Sequence, residues 1–131
     1  MSLFGFFVVG IGAALGACLR WSLSLWLNLI VATLPLGTLA ANLLGGYLMG
    51  VAMGLLPMLH TLSPEARLMI TTGFLGGLTT FSTFSAESTS LLLRQQFGAA
   101  MLLIGVHVLG SLAATALGLA SVHGLRLWIA R

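Results

Sequence analysis

Residues Gly73 to Glu87 read GFLGGLTTFSTFSAE. Two adjacent glycines, three phenylalanines and five hydroxyl residues (Thr79, Thr80, Ser82, Thr83 and Ser85) fall within these fifteen positions of an otherwise apolar chain. A helix that only faces lipid needs none of them. Gly76-Gly77 weakens a helix in its middle, and the hydroxyls offer the backbone other partners. A break in a membrane helix is tolerated only where protein or water receives the freed carbonyls. Such carbonyls can hold a cation, so one cation is expected at the centre of a dimer. Phe81 and Phe84, three apart, share a helix face amid hydroxyls rather than leucines. Their ring edges are positive and attract a small anion without the tight grip of an arginine. The stretch therefore reads as both a bend and an anion-lining surface.

The surrounding composition says what the bend is embedded in. Of 131 residues 59% are hydrophobic and 5% charged, and the mean hydropathy is +1.13. A soluble domain carries roughly a quarter charged residues, so this chain belongs in lipid. The basic residues are all arginines: Arg20, Arg67, Arg94, Arg126 and Arg131. The acids are Glu65 and Glu87. No basic patch suggests nucleic acid. The lone cysteine, Cys18, excludes an intrachain disulfide and reads as a small buried apolar side chain. Leu15 to Cys18 resembles a lipoprotein cleavage box, but Met1 to Phe4 lacks a positive charge. The first segment is expected to be a retained helix.

Four apolar blocks emerge, at about 3–29, 36–58, 64–94 and 97–128. Each is long enough for a bilayer core of about 30 Å. The expected fold is an all-α membrane protein of four transmembrane helices with a broken third helix, in a single channel domain over 1–131. Ser63-Pro64-Glu65 is a helix start, with a capping serine, proline at the first position and an acid at the positive helix end. Small residues recur every four positions at Gly12 and Gly16, at Gly46, Gly50 and Gly54, and at Gly110, Ala114 and Gly118. In lipid such faces let backbones approach closely. Four helices make a thin bundle, so an aqueous pathway calls for a second copy. With both ends on one side, that side holds Arg67, Arg126 and Arg131, and the other holds Arg20 and Arg94. So weak an asymmetry specifies orientation poorly. Insertion both ways round, and an antiparallel dimer of the two orientations, are expected.

His107, Ser111 and Thr115 are spaced by four and form a polar line on one face of the fourth block. Asn42 lies in the middle of the second block, with Thr38 one turn earlier. An amide inside lipid needs a partner and is also a good anion donor. No catalytic carboxylate pair and no metal-spaced histidines appear among His60, His107 and His123, so an enzyme is not expected.

Gly73 to Glu87 closely resembles the signature of the Fluc (CrcB) fluoride channels. Gly16 to Trp21, the run Gly37-Thr38-Leu39-Ala40-Ala41-Asn42-Leu43-Leu44-Gly45-Gly46, and Gly110 to Ala113 agree with that family. The resemblance spans essentially the whole chain. It implies a passive fluoride-selective channel, built as a dual-topology antiparallel homodimer with two pores and lying in the bacterial inner membrane in both orientations. It implies a central sodium ion on the backbone carbonyls of Gly76 and Thr79. It implies pore-lining roles for Phe81 and Phe84, with Asn42, Thr38, Ser82, Thr83, Ser111 and Thr115, and it matches Arg20 to the family's first-helix arginine and Glu87 to the acid after the motif. Leu103 stands where some members carry tyrosine, and no role is implied for His107. The partners implied are fluoride, the lipid bilayer and a second copy. Two other readings compete. A small dual-topology drug or cation exporter needs an ionisable coupling residue, and the first helix has no carboxylate. A non-transporting membrane subunit explains the glycines but not the hydroxyl-rich break.

Overall fold

The computed structural model describes residues 3–29 and 35–130. Met1, Ser2 and Arg131, used above for the leader and the charge balance, lie outside them. All regular structure among the described residues is helical. Helix α1 spans Leu3–Leu27 and α2 spans Leu36–Leu55, which runs into a short 3-10 turn over Leu56–Met58. A helical run then begins with α3, Pro64–Leu68, widens into a π-helix over Met69–Leu75 and closes as α4, Gly76–Leu78. Thr79 and Thr80 are extended, with ψ of 152° and 113°. Helix α5 spans Phe81–Leu93 and α6 spans Phe97–Ile129. Among the described residues three helices, Leu3–Leu27, Leu36–Met58 and Phe97–Ile129, are long and apolar enough to cross a membrane.

Helix ends follow local chemistry. Ser63 caps α3 by accepting the Ala66 N–H at 3.2 Å, with Pro64 at the first position, where a missing N–H costs nothing. Arg67 ties down the connection before α3. Its Nη1 donates to the Leu56 carbonyl at 2.6 Å, its Nη2 to Leu59 at 2.7 Å and its Nε to Leu62 at 3.4 Å. Sequence reading counted Arg67 only as charge. The Asn28 side-chain oxygen accepts the Gly37 N–H at 2.8 Å and joins the end of α1 to the start of α2.

Packing follows the small residues. Helix α1 lies against the π-helix and α4, and α2 lies against α6. A methyl group at Gly12 would sit 2.9 Å from the Phe74 nitrogen, and one at Gly16 2.6 Å from the Leu78 nitrogen. Gly77 answers from α4, where a methyl group would meet the Ala13 backbone. Across the other crossing, Gly50 faces the Thr115 carbonyl and Gly118 faces the Tyr47 carbonyl. Backbone therefore touches backbone at both crossings, as expected where packing rather than hydrophobic exclusion drives association.

Two expectations need correction. Gly76 and Gly77 do not interrupt the helix. Both are helical, and the chain turns extended only at Thr79-Thr80. Gly77 serves close approach to α1, while the hydroxyl residues and a side chain from α2 redirect the backbone. Cys18 is exposed, not buried. The inward face of α1 is occupied by Gly12 and Gly16, and two residues beyond Gly16 a helix has turned to its opposite side.

Candidate functional site

The site begins with one amide. Asn42 on α2 accepts the Thr80 N–H at 2.8 Å through Oδ1 and donates Nδ2 to the Thr80 carbonyl at 3.2 Å. Both backbone groups of an extended residue are thus satisfied by a single side chain, which is what a bend in an apolar setting requires. Thr80 also caps α5, its Oγ1 accepting the Thr83 N–H at 3.2 Å.

These bonds divert two donors. In an uninterrupted helix the Thr80 N–H would bond to the Gly76 carbonyl and the Thr83 N–H to the Thr79 carbonyl. Here they go to Asn42 and to the Thr80 hydroxyl. The carbonyls of Gly76 and Thr79 are left without their helical donors, and Gly76 is exposed at the surface of this chain. Neutral, oxygen-only ligands of this kind suit a hard cation such as sodium. Among the described residues no group of His, Cys, Asp and Glu is placed to hold a metal through side chains.

A cavity of about 460 Å³ opens beside the bend. Asn42 and Gly46 line it from α2, Thr79, Thr80, Phe81 and Phe84 from the bend and α5, and His107, Ser111 and Thr115 from α6. The structure thus gathers the amide, the phenylalanine pair and the polar line around one space. The Phe81 and Phe84 rings lie 5.5 Å apart, tilted by 60°. Phe84 is buried, whereas Phe81 is 78% exposed on the isolated chain. The α5 N-terminus, with its partial positive charge, opens on the same space.

The other sequence candidates sit nearby but outside the lining. Ser82 and Thr83 hydrogen-bond to the Thr80 hydroxyl at 3.2 and 3.0 Å. Thr38, only 2% exposed, donates to Glu87 Oε1 at 2.6 Å, joining α2 to α5. Arg20 donates Nε to the Gly77 carbonyl at 3.3 Å, so the α1 arginine meets α4 one turn from the bend.

Residues 7–119 match the profile described as CrcB-like protein, Camphor Resistance (CrcB). The chain is 54% identical over 125 residues to a protein of Nitrosospira multiformis named fluoride-specific ion channel FluC, covering 95% of this chain and 98% of that one. A protein of the same name from Chromobacterium violaceum is 57% identical over 118 residues, covering 90% and 94%. One from Chromohalobacter salexigens is 55% identical over 118 residues, covering 90% and 89%.

The chain belongs to the CrcB family.

It is a multi-pass membrane protein, as its family and its three long apolar helices indicate. Sequence reading of this CrcB chain missed one contact in the cavity wall. The His107 ring stacks on Phe84, with centroids 4.7 Å apart and 29° between planes. Spacing placed His107 on a polar line, but the partner lies on a different helix, and no periodicity within α6 carries that information.

Proposed function

We propose that this protein is a passive, fluoride-selective channel that lets cytoplasmic fluoride leave down its electrochemical gradient. The observation that carries the reading is the shared cavity: an amide, a hydroxyl line and two aromatic rings meet there, with no buried lysine or arginine in its lining. Such a surface suits a small anion that must bind and also leave. Relatives named fluoride-specific ion channel support it, and they do not favour the exporter or the non-transporting subunit.

The chain's own groups account for passage. Fluoride accepts hydrogen bonds and donates none. Asn42 spends one amide N–H on Thr80 and has a second. The Ser111 hydroxyl makes no hydrogen bond among the described residues, whereas Thr115 donates to the Ser111 carbonyl at 2.9 Å. Ring edges of Phe81 and Phe84 extend the favourable surface without a full charge. A negative-inside potential drives the anion outward at roughly 2.3 kcal/mol per 100 mV. No coupling step is needed, because the potential alone drives the ion.

The assembly is part of the same proposal. Residues 64–93 form a fourth crossing, broken at Thr79-Thr80, so the whole chain is one channel domain. Phe81 stands mostly clear of its own chain, and a second copy in the opposite orientation supplies the missing wall. The result is an antiparallel homodimer with two pores, inserted in the bacterial inner membrane in both orientations. A sodium ion at the dimer centre, held by the carbonyls of Gly76 and Thr79, would join the two breaks and neutralise their partial charges. Thr38, Ser82 and Thr83 support the lining, while Arg20 and Glu87 frame its approach.

Purified protein in liposomes, with a potassium gradient and valinomycin, tests the reading. Rapid fluoride efflux with little chloride efflux is expected. Absence of fluoride efflux from folded protein would overturn it.

A further inference from the structure

His107 is 4% exposed, yet it lines the cavity. Its Nδ1 lies 3.0 Å from the Leu103 carbonyl oxygen. A carbonyl only accepts, so Nδ1 carries a hydrogen whether the ring is neutral or charged. Nε2 is therefore a bare lone pair in the neutral ring and an N–H donor in the cation. That atom is buried and has no hydrogen-bond partner, which native interiors rarely leave unexplained. The ring cannot swing to find one without giving up both the Leu103 bond and the stack on Phe84.

The donors around it are few. The hydroxyls of Thr79 and Thr115 are spent on their own helices, and that of Thr80 on Thr83. Ser111 and the second Asn42 N–H remain. A neutral His107 would present a lone pair to an anion that needs donors, and a protonated one would present a charge-assisted N–H. Hydrogen bonds of that kind are the shortest and strongest, and they favour the smallest anion.

We propose that His107 is a specificity-determining residue of the pathway, taking up a proton at Nε2 as fluoride seats beside it. The inference rests on the fluoride-channel reading. The step is an acid–base exchange with water: an O–H bond of hydronium breaks, an N–H bond forms at Nε2, and water is released. The proton returns to water when the anion leaves. Chloride, larger and a weaker acceptor, gains less from the same N–H.

The neighbouring charges leave this role to His107. Helices α2 and α5 pack against α6. On α5 the ionisable group is Glu87, with Arg94 just past its end. Glu87 Oε1 accepts from Thr38, and Oε2 has no partner, so no ion pair joins it to His107 among the described residues. On α2 the ionisable group is Tyr47, whose hydroxyl donates to Ser121 at 3.3 Å. On α6 itself His123 and Arg126 lie four or more turns away.

Because linkage is reciprocal, acid must tighten fluoride binding and fluoride must hold a proton on His107. Two measurements on the full chain test this. In liposomes, with protein-free leak subtracted, native fluoride efflux is expected to rise about tenfold from about pH 8 to about pH 5.5. His107→Gln is expected to flatten that profile, and the exposed-histidine control His123→Gln to keep it. In nitrogen NMR of the native chain, fluoride but not chloride is expected to convert one imidazole to the doubly protonated pattern. Fast efflux that is flat with pH, with histidine signals unmoved by fluoride, overturns the proposal while leaving the channel reading intact. No efflux at any pH overturns the channel reading and the proposal with it. If His107→Gln fails to fold, the spectrum of the native chain decides alone.

Discussion

At Asn42 one side chain serves the bend and the cavity at once. Its two bonds to Thr80 replace the helical pairing that Thr80 forgoes. Removing it strands a backbone N–H and a carbonyl in an apolar setting, where each unsatisfied group costs about 1–3 kcal/mol. Asn42→Ala is therefore expected to lower thermal stability in detergent and to reduce fluoride efflux. Asn42→Asp sets a carboxylate oxygen against the Thr80 carbonyl and a negative charge in the anion's path, and is expected to abolish efflux. The phenylalanines make a cleaner test of the ring-edge argument. Phe81→Ile and Phe84→Ile keep apolar bulk but lose the positive edge. Each is expected to slow efflux about tenfold, equivalent to about 1.4 kcal/mol at the barrier, while the size-exclusion elution volume stays that of the native protein. Normal flux in both variants would remove the role assigned to the rings. Pairing of Phe81 with Phe84 was legible from their spacing of three. That Phe84 is buried beneath His107 while Phe81 stands exposed was not, because burial depends on which helix lies opposite.

Between helices, the glycine pattern carried most of the legible information. The four-residue spacings in α1, α2 and α6 mark the faces where the structure brings backbones into contact. At Gly50 an added Cβ would overlap the Thr115 carbonyl and lie 2.8 Å from the Leu119 nitrogen. Gly50→Val must push α2 and α6 apart, and a loss above about 3 kcal/mol, or failure to fold, is expected. Gly124, with nothing within 4 Å, is the control. Gly124→Ala is expected to be neutral or to stabilise by up to about 1 kcal/mol through helix propensity. Thermal unfolding of the two variants side by side checks both. Where the sequence pointed to Gly76-Gly77 as the weak place, the helix held. Glycine only permits a break, and here the competing partner, the Asn42 amide, reaches Thr80 instead.

For the whole molecule, Gly76 and Phe81 are exposed on the single chain, where the proposed second copy would cover them. If the Gly76 and Thr79 carbonyls hold sodium, folded stability must rise with sodium concentration. The gain is about 2.7 kcal/mol at a hundredfold excess over Kd, and potassium or choline should not reproduce it. A melting series in the three salts reads this directly. Orientation has its own test. Tags on both termini of the protein in cells are expected to be found on both membrane faces, and finding every copy one way round would remove the proposed antiparallel dimer.

Composition and spacing by themselves determined that this chain lives in lipid, which faces its helices use to meet, and that a hydroxyl-rich segment interrupts the pattern. These are properties of one helix at a time, and the 3.6-residue period displays them without a partner. Only the tertiary structure decided which backbone groups lose their helical partners, where the extended residues fall, and that His107 stacks on Phe84 with its Nε2 buried and unpartnered. Each of those depends on a side chain from another helix. Hydrogen bonds and ring contacts act over a few ångströms, so they exist only once α2, α5 and α6 have been packed together.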